Sequence, residues 1–120
     1  MKYLFSGTHI ICDLYGTREG LCLNGNICKL AVEKAIHNAG AHVIETIIYT
    51  FDSGGFTLLS LLKESHVSIH TYPESNSLFV DVFTCGSTNP QKIINELITY
   101  FQPNKCVTKK ISRGAKKTSF

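Results

Sequence analysis

Hydrophobic and polar positions alternate along this chain with two different periods, and the switches between them mark out the elements. Thr8 to Tyr15 (Thr-His-Ile-Ile-Cys-Asp-Leu-Tyr) reads as a strand, and Gly16 to Gly25 as a loop. From Asn26 to Ala39 the apolar residues Cys28, Val32, Ala35, Ile36 and Ala39 recur at helical spacing, and Gly40 supplies a stop. His42 to Phe51 is rich in β-branched residues, Asp52-Ser53-Gly54-Gly55 is a turn signal, and Phe56 to Leu62 reads as a further strand. Val67, Ile69 and Thr71 then alternate with His66, Ser68, His70 and Tyr72, which places the two sets on opposite sheet faces. Leu78, Val80 and Val82 oppose Phe79, Asp81 and Phe83 in the same way, with a hairpin turn expected at Asn76-Ser77. Asn89-Pro90 has the chemistry of a helix start, Ile93, Ile94, Leu97, Ile98 and Phe101 form one apolar stripe, and Pro103 marks the end. Cys106 to Ile111 is expected to be the last strand.

The predicted order is β-α-β-β-β-β-α-β. Four successive strands cannot all be joined by parallel crossovers, so the sheet should be mainly antiparallel. Two helices on one of its faces give an α+β two-layer sandwich. The opposite face then carries His66, Ser68, His70 and Tyr72, a polar set that is either wet or functional.

Composition narrows the class. A chain of 120 residues is one domain, and an enzyme this small often dimerises to complete a site. Hydrophobic content of 43% and charged content of 18% fit a globular protein rather than a disordered one. No apolar run is long enough for a membrane span and no signal peptide is visible, so a cytoplasmic protein is expected. The five cysteines are odd in number and lack C-x-x-C spacing, which fits free thiols. The net charge of +3 is mild, which makes nucleic acid an improbable partner. Lys105, Lys109, Lys110, Arg113, Lys116 and Lys117 nevertheless crowd the C-terminal end, where a solvated, frayed terminus is the plain reading and RNA or an anionic surface the sharper one.

The stretch Glu64-Ser65-His66, running on to Ser68-Ile69-His70-Thr71-Tyr72-Pro73-Glu74, holds the densest candidate chemistry. Ser65 attacking its own upstream carbonyl would need a tightly held or strained peptide and a group to manage protons. The plain alternative is an ordinary turn serine. His66, His70 and Cys85 are donor types that zinc accepts, but four residues on a strand span about 13 Å, too far for one ion, so no metal is expected. Cys85 stands beside Gly86 before a helix start, a position compatible with reactivity, although cysteine is more often a small buried hydrophobe. Phe51, Phe56, Tyr72 and Phe83 could stack on a base or could be core. Neither a P-loop nor a G-x-G-x-x-G fingerprint is present.

Glu64 to Glu74, joined to Val80-Asp81-Val82-Phe83-Thr84-Cys85-Gly86 and to the opening His9-Ile10-Ile11-Cys12-Asp13-Leu14-Tyr15, resembles the small prokaryotic S-adenosylmethionine decarboxylase proenzymes. That resemblance implies self-cleavage between Glu64 and Ser65 into chains 1–64 and 65–120, with Ser65 becoming a pyruvoyl cofactor. Through it His70 is implied as the base of processing and Thr57 as its support. Cys85 is implied as the proton donor in turnover, and Phe51, Glu74 and Tyr72 as substrate contacts. A pyruvoyl carbonyl forms a Schiff base with a substrate amine and accepts the electrons released as carbon dioxide leaves.

The implied activity is decarboxylation of S-adenosylmethionine, supplying the aminopropyl donor for spermidine, by a homodimer of processed protomers. Four positions depart from the family pattern: Thr57-Leu58 in place of serine-glycine, Tyr72 in place of tryptophan, and Asp52 in place of proline. These changes lie near the substrate contacts. An ornithine or arginine decarboxylase on the same scaffold therefore stays open, as does a non-catalytic regulatory or RNA-binding homologue.

Overall fold

The computed structural model describes residues 6–114. Six strands and two helices follow one another as β1 (Ser6–Tyr15), α1 (Gly25–Asn38), β2 (Val43–Thr50), β3 (Phe56–Leu62), β4 (Ser65–Tyr72), β5 (Ser77–Cys85), α2 (Pro90–Phe101) and β6 (Lys105–Gly114). The strands form one sheet in the order β2-β3-β4-β5-β1-β6, and every neighbouring pair is antiparallel. Both helices lie on one face, α1 against β2 and β3, and α2 against β1 and β5. The expected α+β sandwich and its element order are what the chain adopts.

Period-two patterning sorts each strand between the layers. Ile10, Cys12 and Leu14 of β1, Phe56, Leu58 and Leu62 of β3, Val67 and Ile69 of β4, and Leu78, Val80 and Val82 of β5 are all buried beneath the helices. From above they meet Cys28, Val32 and Ile36 of α1 and Ile93, Ile94, Leu97 and Phe101 of α2, closing one hydrophobic core.

The helix ends follow the local chemistry. The Asn24 side chain accepts the Ile27 N–H, and that of Asn89 accepts the Gln91 N–H just before Pro90. α2 stops one residue before Pro103, at Gln102, whose φ of 46° breaks the helical run.

Three details differ from the sequence-based expectation. A 3-10 turn, Leu21–Leu23, interrupts the first loop. The β4–β5 connection is longer than an Asn76-Ser77 turn, because Pro73–Ser75 forms a 3-10 turn and only Asn76, at φ 45°, reverses the chain. The basic C-terminal stretch is not frayed as far as Gly114. Lys105, Lys109, Lys110 and Arg113 stand on β6, paired with β1 along its whole length, while Lys116 and Lys117 lie outside the described residues. Charged residues on an exposed edge strand discourage pairing with further chains.

The face turned away from the helices carries His66, Ser68, His70 and Tyr72, as the alternation requires. It also carries much apolar surface: Ile11, Ile47, Tyr49, Leu59, Leu61, Phe79, Val107 and Ile111 are all exposed. Among the described residues, no helix is long and apolar enough to cross a membrane.

Candidate active site

Leu62 pairs with Ser65, so Lys63-Glu64 is a two-residue hairpin turn between β3 and β4. Glu64 has φ 63°, a conformation that glycine or asparagine adopts readily and that costs a glutamate roughly 1–3 kcal/mol. Strain is thus held in the residue that supplies the carbonyl next to Ser65. On the other side, Ser65 Oγ accepts the Cys85 N–H at 3.3 Å. Cys85 ends β5 and is half-buried, with Gly86 turning the chain at φ 70° directly after it. Burial pushes the Cys85 thiol above its ordinary pKa, and the Glu64 carboxylate pushes it further, which keeps the sulfur protonated.

A second group forms at the opposite end of the same strands. Thr57 Oγ1 and His70 Nδ1 lie 3.1 Å apart across the β3–β4 ladder. A hollow of about 320 Å³ is lined by Phe51, Ser53, Thr57, His70, Tyr72 and Glu74. Tyr72 packs on Phe79 with ring centres 5.1 Å apart, and Phe51 on Tyr49 at 4.9 Å. The hollow has an aromatic wall, with Glu74 on the rim supplied by the 3-10 turn. A larger hollow of about 530 Å³ lies elsewhere, between α1 and β2, and includes none of these residues.

The candidates therefore fall into two groups. Glu64, Ser65 and Cys85 meet at one end of β4 and β5, while Phe51, Thr57, His70, Tyr72 and Glu74 meet at the other. Five residues of strand separate Ser65 from His70, about 16 Å. Of the aromatics weighed as base-stacking groups, Phe56 is core, whereas Phe51 and Tyr72 are exposed.

Between the two groups lies a cluster that sequence reasoning missed. Asp81 on β5 accepts hydrogen bonds from His9 Nε2 of β1 at 2.7 Å and His66 Nε2 of β4 at 2.9 Å, both on Oδ2, and from the Ser68 hydroxyl on Oδ1. Arg113 of β6 donates to His9 Nδ1 at 3.4 Å and stacks over Phe83. Burial alone pushes the Asp81 carboxyl up, but the hydrogen bonds from Ser68, His66 and His9 together draw it below the ordinary aspartate range. The donor atoms of His9, His66 and Asp81 all lie within 4.8 Å of one another, whereas the set weighed earlier for a metal, His66, His70 and Cys85, is not brought together. The available signal was a lone aspartate facing outward in the otherwise apolar strand from Leu78 to Phe83. Its partners could not be named without the strand order.

Fold and site together define a two-layer α+β protein with a serine after a strained turn and an aromatic-walled hollow on the same sheet. The S-adenosylmethionine decarboxylase family model matches residues 8–114. A protein from Bacillus cereus (strain ZK / E33L), S-adenosylmethionine decarboxylase proenzyme 2, is 41% identical over 115 residues, covering 95% of this chain and 94% of its own. The S-adenosylmethionine decarboxylase proenzyme of Archaeoglobus fulgidus is 34% identical, covering 90% and 97%. The crystal structure of the adenosylmethionine decarboxylase from Aquifex aeolicus VF5 superposes with a TM-score of 0.86 at 31% identity, over 100% of this chain and 98% of that one. The chain belongs to the S-adenosylmethionine decarboxylase family.

Proposed function

We propose that this protein is a pyruvoyl-dependent carboxy-lyase acting on S-adenosylmethionine, made by self-cleavage between Glu64 and Ser65. The observation that carries the reading is the junction itself. A glutamate at φ 63° precedes a serine whose hydroxyl lies against the Cys85 N–H. Ser65 Oγ attacks the Glu64 carbonyl carbon and the peptide C–N bond opens, leaving an ester and a free amine on residue 65. Departure from the left-handed conformation relieves strain and favours that exchange. His70, hydrogen-bonded to Thr57, takes the α-proton of residue 65, and elimination releases the Glu64 carboxylate and leaves a dehydroalanine, whose imine tautomer takes up water and loses ammonia. A serine-derived pyruvoyl group suits this position, since the new end at residue 65 lies beside a protonated thiol. The group supplies an electron-accepting carbonyl next to the substrate amine. The chain's own residues do the rest: Cys85 holds a proton for the substrate carbon, Phe51 offers a face for adenine, and Glu74 offers a carboxylate to a ribose diol.

His70 and Ser65 lie too far apart in one chain for this chemistry. We infer a homodimer in which the exposed apolar faces meet. A two-fold axis lying between the two sheets and running across the strands brings the Ser65–Cys85 end of one copy over the His70–Phe51–Glu74 end of its partner. Burial of Leu59 and Leu61, which are 49% and 53% exposed in one copy, favours that association.

Intact mass of the purified protein tests the proposal. Two fragments divided before Ser65, the second without a free amine, are expected, together with carbon dioxide release from S-adenosylmethionine. A full-length mass would remove the cleavage reading. Cleaved protein that turns over ornithine or arginine instead would move the substrate assignment to a basic amino acid.

A further inference from the structure

The Asp81 cluster lies outside both groups of candidate catalytic residues, yet it grips His66, the second residue after the proposed cut. Asp81 takes hydrogen bonds from three side chains on two neighbouring strands, and Arg113 on β6 orients one of those donors. Because Arg113 can only donate, His9 Nδ1 is the accepting nitrogen and Nε2 carries the proton that bonds Asp81. The carboxylate is thus a fixed acceptor for the His66 N–H. Cleavage before Ser65 would remove the covalent link between β3 and β4 and leave residues 65 and 66 as a free strand end. A strand end frays unless it is tied down.

The geometry points to Asp81 as a positioning residue. It pins His66, and through it the new end of the second fragment, so that the group formed from Ser65 stays beside Cys85. This rests on the cleavage proposed above. Asp81 touches neither the scissile bond nor the hollow. It acts through His66 and Ser68 on the placement of residue 65, in a type of reaction where a displacement of about 1 Å can cost roughly 100-fold in rate.

The test uses full-length Asp81→Ala, Asp81→Asn and His66→Phe, each also made in a Ser65→Ala background that cannot be cut. In cleaved protein, Asp81→Ala and His66→Phe should speed amide exchange of residues 66–70 about tenfold or more. They should lower kcat roughly 10- to 100-fold with KM within about threefold. Asp81→Asn, which keeps an acceptor, should retain part of the activity. The double variant His66→Phe/Asp81→Ala should be no worse than the poorer single variant, since both cut the same tether. In the uncut Ser65→Ala background the same substitutions should loosen residues 66–70 far less, because the hairpin still restrains them; a purely structural role would loosen both forms alike. If Asp81→Ala fails to fold, His66→Phe carries the comparison. Equal loosening in cut and uncut protein, or wild-type exchange and turnover in cleaved His66→Phe, would overturn the inference. A wild-type chain that is never cut would instead sink the cleavage proposal on which it rests.

Discussion

Glu64 shows how much a single backbone angle can carry. Its φ of 63° is the one feature of the cleavage junction that side-chain chemistry cannot supply. Glu64→Gly relaxes the turn without changing its path. Relief of about 1 kcal/mol in the uncut chain should slow self-cleavage roughly fivefold, measured by following the appearance of the second fragment after refolding. A faster cut in the glycine variant would show that strain plays no part. Asp81 makes a different residue-scale prediction. Its carboxyl is held below the ordinary range in the folded chain, so its contribution to stability is present above the unfolded value near pH 4 and is lost as pH falls through the folded one. The Tm deficit of Asp81→Asn against the parent should therefore be clear at pH 7 and should shrink progressively below about pH 4. A deficit unchanged down to pH 2 would assign it to packing instead.

At the level of elements, two turns build the hollow together. The 51–55 turn closes through the Phe51 N–H donating to the Gly55 carbonyl at 2.8 Å, and it rests on the Pro73–Ser75 turn that carries Glu74. A Cβ on Gly55 would sit 2.8 Å from Pro73 Cδ and 3.2 Å from the Thr71 carbonyl. Gly55→Ala should therefore part the two turns and separate Phe51 from Glu74, costing about 10- to 100-fold in kcat/KM while leaving self-cleavage intact. Unchanged steady-state kinetics would mean that the turns are not coupled. These turns also mark where sequence reading stops. Strands β1, β3, β4 and β5 were legible because one face is buried, which forces alternation, whereas β2, with no residue fully buried, was legible from its β-branched residues. The second helix was legible because Asn89, Pro90 and its apolar stripe agree. The Leu21–Leu23 turn was not, since three residues carry no period, and the full length of β6 was hidden because all ten of its residues are exposed. Residues 51, 57, 65, 70, 74 and 85 could be singled out, but their division into two ends of one sheet is a property of strand length and pairing. The link between His9 and Asp81, 72 positions apart, depends on β1 inserting between β5 and β6.

On the scale of the whole molecule, that division gives the sharpest test of assembly. Ser65→Ala lacks the nucleophile and His70→Ala lacks the base, so neither should be cut when expressed alone. In a mixed dimer, the intact Ser65 of the His70→Ala chain would face the intact His70 of its partner. Co-expression should therefore restore cleavage of the His70→Ala chain alone, read from fragment masses with one chain tagged. No restoration from verified mixed dimers would place both groups in the same protomer.

The strand order carries one more consequence. The proposed cut would assign β1, β2 and β3 to the first fragment and β4, β5 and β6 to the second, yet β1 lies between β5 and β6. The fragments would share three seams, β3 with β4, β5 with β1, and β1 with β6. One strand of the first would be clasped on both edges by the second. Such halves are interlocked rather than docked: neither can leave while the sheet persists, and no linker is needed to keep them paired. Separation would require melting the whole fold, and reassembly would become a second-order encounter. A protein that cuts itself once can thus go on behaving as a single mechanical body, with the broken bond recorded only in how it refolds.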